Sequence, residues 1–182
     1  HASSSAASDV YKRQLLFLLI ISCSMESNEN KIGIVIHGGA GTILKENMTP
    51  ELENSYMIKL EEAVRMGYDI LRNGGSSKDA VEQTIRVMED SPLFNAGVGA
   101  VLTNDERVSL DASFMDGKNL NAGAIAGSSY IKNPISAAIA VMDKSPHVLL
   151  SSKGADDFAI EMGIDTVPNS YFITERRLNS LR

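Results

Sequence analysis

An α/β fold, layered and with an antiparallel component, is what this 182-residue chain predicts. Three observations carry it. A β-branched run at residues 31–41 (KIGIVIHGGAG) stops at glycines, as a buried strand ending in a tight loop does. Two segments with helical spacing follow. From Val98 the hydrophobic period changes to two, and a helix, a strand and a helix come after it. That order fits α/β layers better than a doubly wound βαβ repeat.

The elements follow in order. Thr49-Pro50 opens the first helix, with threonine as N-cap and proline at the first helical position, where its missing N–H is no loss. Leu52, Tyr56, Leu60, Ala63, Val64, Gly67 and Leu71 fall on one face, and Gly74-Gly75 ends the helix. Ser76 and Asp79 resemble a capping box for a second helix, which should bury Val81, Ile85 and Met88 and stop before Ser91-Pro92. Residues 101–117 have the form of a hairpin. Val108, Leu110, Ala112 and Phe114 face one way, and Ser109, Asp111, Ser113 and Met115 the other. Asp116-Gly117 is a turn. Residues 121–129 (NAGAIAGSS) read as a strand so small that something must pack closely on it. Residues 134–144 form an alanine-rich helix in which Ala137, Ala138 and Ala140 permit close approach. Residues 147–150 form a short strand and 153–162 a helix. The last stretch, 163–182, has weak pattern and no closing strand, and is expected to break off before the fold is finished.

The first thirty residues stand apart. Residues 1–14 show neither hydrophobic period nor turn chemistry and resemble a translated library adapter, so they are excluded from the fold as non-native. Residues 15–24 (LLFLLIISCS) are too short an apolar run to span a bilayer, which takes about 20 residues, and suit a signal-peptide core. The end of the run resembles a bacterial lipoprotein box, which would make Cys23 the lipidated first residue and the protein periplasmic or membrane-anchored. The alternatives are a buried strand or an uncleaved leader with an inert Cys23 and a cytoplasmic protein. The polar residues that follow, to residue 30, read as a tether, and the domain proper as 31–182.

Charge and cysteine content remove several classes. A net charge of −6 without a Lys/Arg cluster argues against nucleic-acid binding. One cysteine allows no internal disulfide, and with three scattered histidines it builds no zinc site. The glycine motif at 37–41 (HGGAG) fails as a dinucleotide loop, because the third glycine is missing at Leu44. Gly97-x-Gly99 fails likewise at Leu102. As the oxyanion loop of an α/β-hydrolase it lacks the companion Gly-x-Ser-x-Gly. A tight strand-end turn and a glycine loop that lets backbone approach an active site both remain open for it. His37 and His147 abut apolar strands and read as structural. Asp116 reads as a turn residue. Asp111 is either a hydrogen-bonding strand residue or a site residue, and the spacing does not decide.

Five motifs, HGGAG, SPLFNAGVGAVLTNDERVSLDASFMDG, NAGAIAG, KNPISAA and SPHVLLSSKGADDFA, occur in that order over residues 31–182. Together they resemble the α-subunit half of the plant-type asparaginase/isoaspartyl peptidase family. The long central motif is the specific one. Lysosomal-type glycosylasparaginases and threonine aspartases share the architecture, but the His-Gly-Gly start and the Leu-Phe-Asn-Ala-Gly run fit the isoaspartyl peptidase branch better.

The resemblance implies an αββα N-terminal-nucleophile hydrolase sandwich, here only its α-subunit half, from a precursor that cuts itself into α and β subunits. The cut exposes a threonine in a Gly-Thr-Val-Gly setting, whose α-amine serves as base for its own hydroxyl. Oriented donors stabilise the oxyanion. Substrates are L-asparagine and isoaspartyl dipeptides, and partners are the chain's own β subunit and a second αβ unit. The nearest approach to Gly-Thr-Val-Gly is Thr166-Val167, but Asp165 precedes it and Pro168 follows. The nucleophile is therefore expected beyond Arg182, and the chain alone is expected to be inactive. No organic cofactor is implied. A structural sodium ion is, held by the carbonyls of Met88, Glu89, Ser91, Phe94, Ala96 and Val98. Without the resemblance this stretch is an ordinary helix-exit loop. Asn95 matches the family's asparagine beside the nucleophile and takes a supporting role, and His37, Gly38 and Gly39 form an active-site loop. A degenerate, non-catalytic binding module of the same fold is the alternative.

Overall fold

The computed structural model describes residues 31–39, 46 and 48–182. Residues 1–30 with Cys23, and Ala40 and Gly41 of the glycine motif, lie outside the described residues. Helix α1 (Pro50–Arg72) opens as expected, with the Thr49 hydroxyl accepting from the Leu52 N–H at 3.2 Å and Pro50 in the first turn. It closes through Gly74, whose φ of 82° suits glycine, and a bond from the Gly75 N–H to the Ile70 carbonyl. Helix α2 (Ser77–Glu89) is capped by Ser76, which accepts from the Asp79 N–H.

The two helices cross on small residues. A Cβ on Gly67 would run into the Thr84 hydroxyl and the Ile34 side chain. This contact moves the most buried positions of α2 to Ala80, Thr84 and Glu89. Val81 and Ile85 are half-buried and pack on Phe114, Ile135, Ala138 and Ile139. Helix α2 is therefore packed on two sides, and a single-face reading captures one of them.

Among the described residues the sheet has three strands in the order β1-β2-β3. Strands β1 (Leu110–Met115) and β2 (Ala122–Ser128) are antiparallel, with Ala112 opposite Ile125 and Phe114 opposite Gly123. The period-two reading holds: Val108, Leu110 and Phe114 are buried, whereas Ser109, Asp111, Ser113 and Met115 are exposed. A bridge from Leu102 to Val108 closes the preceding loop. Helix α3 (Pro134–Lys144) then carries the chain to β3 (Leu149–Ser151), which pairs parallel to β2. The fold is therefore mixed α and β. Ala137 and Ala138 of α3 are fully buried, and a Cβ on Gly123 would overlap the Ala138 carbonyl and the Met142 N–H. The small residues of β2 thus admit a helix backbone, as their size predicts. Helix α4 (Ser152–Glu161) adds Ala155 and Ala159 to the core around Ile125, Ile131 and Val141. Helices α2, α3 and α4 cover one sheet face, and Met115 and Leu149 stand exposed on the other.

One expectation fails. Residues 31–39 are extended but enter no ladder among the described residues. Ile34 and Ile36 turn inward while Val35 is 95% exposed. The apolar alternation is present, but a strand also needs a neighbour to take its backbone groups. The weakly patterned end adds no strand to the sheet among the described residues. A 3-10 turn (Asn169–Phe172) and helix α5 (Glu175–Leu181) fold back, and Phe172 is fully buried against Ala100, Val108 and Leu110.

Candidate functional site

The predicted carbonyl loop begins where α2 stops. Pro92 has no N–H to continue the helix, the Ser91 N–H returns to the Met88 carbonyl, and the Leu93 N–H donates to the Ser91 hydroxyl. A 3-10 turn (Gly97–Gly99) completes the loop. Gly97 has a φ of 48°, and a Cβ there would strike the Glu89 carbonyl. A Cβ on Gly99 would strike the carbonyls of Phe94 and Pro92. The two glycines therefore let main-chain oxygens crowd together, which any side chain would prevent.

Those oxygens divide into two sets. Among the described residues, the carbonyls of Glu89, Ser91, Phe94 and Val98 accept no hydrogen bond. Met88 and Ala96, the other two predicted ligands, accept from Ser91 and Gly99 and keep a second lone pair each. The Asp90 and Asn95 carbonyls also accept none among the described residues, whereas three other carbonyls of the loop are taken by side chains. Leu93 accepts from the Tyr56 hydroxyl at 2.9 Å, Pro92 from Arg176 Nη2 at 2.8 Å, and Gly99 from Arg177 Nε at 2.6 Å. No group of three or more His, Cys, Asp or Glu side chains converges among the described residues. The donors this loop offers are neutral oxygens, which fit a hard monovalent cation.

Asn95 is exposed, and its Oδ1 accepts from the Val101 N–H at 2.8 Å. This bond ties the loop's middle to its exit. Phe94 is buried and meets Tyr56 edge-on, with ring centroids 5.9 Å apart. On its other side lies the glycine motif: a Cβ on Gly38 would touch Leu60 and Phe94. The motif and the carbonyl loop are therefore neighbours. Gly39 has a φ of 127°, a region reserved for glycine, and its N–H donates to His37 Nδ1 at 3.3 Å. His37, Ile34, Ile36, Thr84 and Met88 line a cavity of about 240 Å³ against α2.

Glu89 serves the loop with its side chain as well. Its Oε1 accepts from the Ile135 N–H at 3.0 Å, pinning the start of the loop to the first turn of α3. Burial pushes its carboxyl up to about 7 against the pull of that hydrogen bond, and its Oε2 has no partner among the described residues. Sequence reading found this residue only through its carbonyl, and it missed Tyr56, Arg176 and Arg177. An Arg-Arg pair in a tail with one adjacent acid, Glu175, was the available signal.

The remaining candidates lie in local hydrogen-bonded turns and ladders. Asp111 Oδ1 accepts from the Gly127 N–H at 2.8 Å beside a register irregularity in β1, and so replaces a broken ladder bond. Asp116 closes the β1–β2 turn by accepting from the Lys118 N–H. His147 lies in an exposed turn stitched by Ser145.

The asparaginase family model matches residues 30–182. The chain is 45% identical over 152 residues to an isoaspartyl peptidase of Salmonella typhimurium strain LT2, covering 84% of this chain and 49% of the relative. It is 50% identical over 147 residues to a plant-type L-asparaginase of Pyrococcus horikoshii, with 81% and 46% covered. A human isoaspartyl peptidase/L-asparaginase is 45% identical over 152 residues, with 84% and 48% covered. The chain spans about half the length of the curated relatives it matches. By the family match over most of its length the chain belongs to the asparaginase family, and it is similar to proteins named isoaspartyl peptidase and plant-type L-asparaginase.

Proposed function

We propose that this chain is the loop-bearing half of a hydrolase that cleaves the β-amide of L-asparagine and of isoaspartyl dipeptides. The observation that carries the proposal is the family match over residues 30–182, joined to relatives named for these activities. In this reading the 88–98 carbonyls hold a sodium ion and Asn95 supports a threonine nucleophile supplied from outside these residues. His37, Gly38 and Gly39 form the second wall, beside Phe94. The absence of any Gly-Thr-Val-Gly in the 182 residues supports an external nucleophile. The exposed sheet face with Met115 and Leu149 is then where a second sheet completes an αββα sandwich with the chain's own β subunit. Full-length protein incubated with β-Asp-Leu and with L-asparagine should release aspartate from both, while the purified 182-residue chain releases none. Turnover by the chain alone refutes the division of labour, and a full-length protein that turns over neither substrate favours a binding module.

A further inference from the structure

We propose that Arg176 and Arg177 are positioning residues that set the 92–99 loop, and through it Asn95; the catalytic part of this inference rests on the function proposed above. The two arginines are consecutive on α5, yet both reach back to one loop. Arg176 Nη2 donates to the Pro92 carbonyl at 2.8 Å and to the Leu93 carbonyl at 3.2 Å, and its Nη1 lies 3.3 Å from the Tyr56 hydroxyl. Tyr56 itself donates to Leu93, so α1 and α5 hold the same turn from two directions. Arg177 Nε donates to Gly99 at 2.6 Å. Neither arginine has a carboxylate partner among the described residues, whereas Arg182, at the C-cap of the same helix, pairs with Glu106.

Two adjacent guanidinium groups repel, and Arg177 is half-buried. Burial, and then the charge of Arg176, hold the Arg177 guanidinium below its ordinary value. An arrangement with these opposing effects persists because crowded carbonyls supply a negative potential in place of a carboxylate. The outcome is a division of the loop's oxygens. Those of Pro92, Leu93 and Gly99 face arginine or tyrosine, and those of Glu89, Asp90, Ser91, Phe94, Asn95 and Val98 accept no hydrogen bond among the described residues.

The link to Asn95 is short. The Gly99 carbonyl is fixed by Arg177, and two residues on the Val101 N–H donates to Asn95 Oδ1. Release of Gly99 frees the exit against which Asn95 is braced.

The test is amide hydrogen exchange, followed by NMR, in the 182-residue chain and in Arg177→Gln, Arg177→Lys and Arg176→Gln. Arg177→Gln should speed exchange at Val101 by tenfold or more while amides of α1 and β2 keep their rates. Arg177→Lys, which retains a charged donor, should recover part of the protection, and Arg176→Gln should act chiefly through the Pro92–Leu93 turn. Unchanged exchange at Val101, equal acceleration of all amides, or a lysine variant no better than glutamine each overturns the proposal. In the full-length protein Arg177→Gln should lower kcat at least tenfold with KM within twofold. Unchanged kcat alongside faster Val101 exchange overturns the positioning role. A wild-type protein without turnover defeats the proposed function and leaves the exchange result intact.

Discussion

Asn169 gives the most exacting test of how the chain's end is held. Its side chain acts as a one-residue strand: Oδ1 accepts from the Val108 N–H at 3.0 Å, and Nδ2 donates to the Val108 carbonyl at 2.9 Å and to the Ser129 carbonyl at 3.0 Å. Val108 is 1% exposed, so water cannot replace these bonds without opening the core. Asn169→Ala strands two buried backbone groups and one partly buried group, each at about 1–2 kcal/mol, for a loss of roughly 3–6 kcal/mol. Against the 5–15 kcal/mol typical of whole domains, that is a large fraction. Urea unfolding followed by far-UV circular dichroism reads it. With a slope of about 2 kcal/mol/M the midpoint should fall by roughly 1.5–3 M. Asn169→Asp is the sharper control. The carboxylate still accepts from the Val108 N–H but faces two carbonyls with no proton to give, so at neutral pH it should be no better than alanine. On acidification it should recover part of the loss as it gains one donor. An alanine variant within about 0.5 kcal/mol of the parent, the range of an unremarkable surface change, would refute the reasoning. So would an aspartate variant as stable as the parent at pH 7.

Two further outcomes follow from single groups. Glu89 titrates at about 7 in the fold against an ordinary 4.5 because burial penalises its charge. Its neutral form is the stabilising one: the contribution is complete below about pH 4.5, declines as pH rises, and is gone above about pH 7. The span is worth on the order of 3 kcal/mol at about 1.4 kcal/mol per tenfold. Glu89→Gln keeps the acceptor for Ile135 without the charge, so it should flatten the melting temperature between pH 4.5 and 8; parallel curves for parent and variant would count against a buried carboxylate. Ser152 has a φ of 49° at the start of α4, which L side chains adopt at a cost of about 1 kcal/mol. Ser152→Gly should therefore raise the melting temperature by about 1–3 °C, partly offset by the entropy of glycine in the unfolded chain, and a fall would refute the strain.

What was legible in the sequence was local. The caps at Thr49 and Ser76, the alternation from Val108 to Met115 and the small residues of β2 all express contacts within a few positions, or a shape that any partner must respect. The elements that misled depend on distant partners. The alternation at Ile34 and Ile36 is strand-like, but ladder bonding is decided by a neighbour and not by the segment. Asn169 and Arg177 lie 61 and 78 positions from the groups they bind, in a tail without apolar rhythm, so no window reveals them. At the candidate site the failure of Gly97-x-Gly99 as a dinucleotide loop was readable from Leu102. The side-chain anchor of Glu89 to α3, 46 positions on, was not.

The closeness of α3 to β2 also limits how this protein can change. The atoms that a methyl on Gly123 would meet first are the Ala138 carbonyl oxygen and the Met142 amide nitrogen, with the Met142 Cβ next. Main-chain atoms stay whatever residues occupy 138 and 142. Trimming a facing side chain therefore makes no room, and a second-site suppressor on the helix is closed to Gly123→Ala. Only a shift of α3 as a body would accommodate the substitution, and that shift would pull Ile135 from the Glu89 carboxyl that begins the loop. A neutral drift at position 123 is thus tied, through one rigid helix, to the geometry of the candidate site.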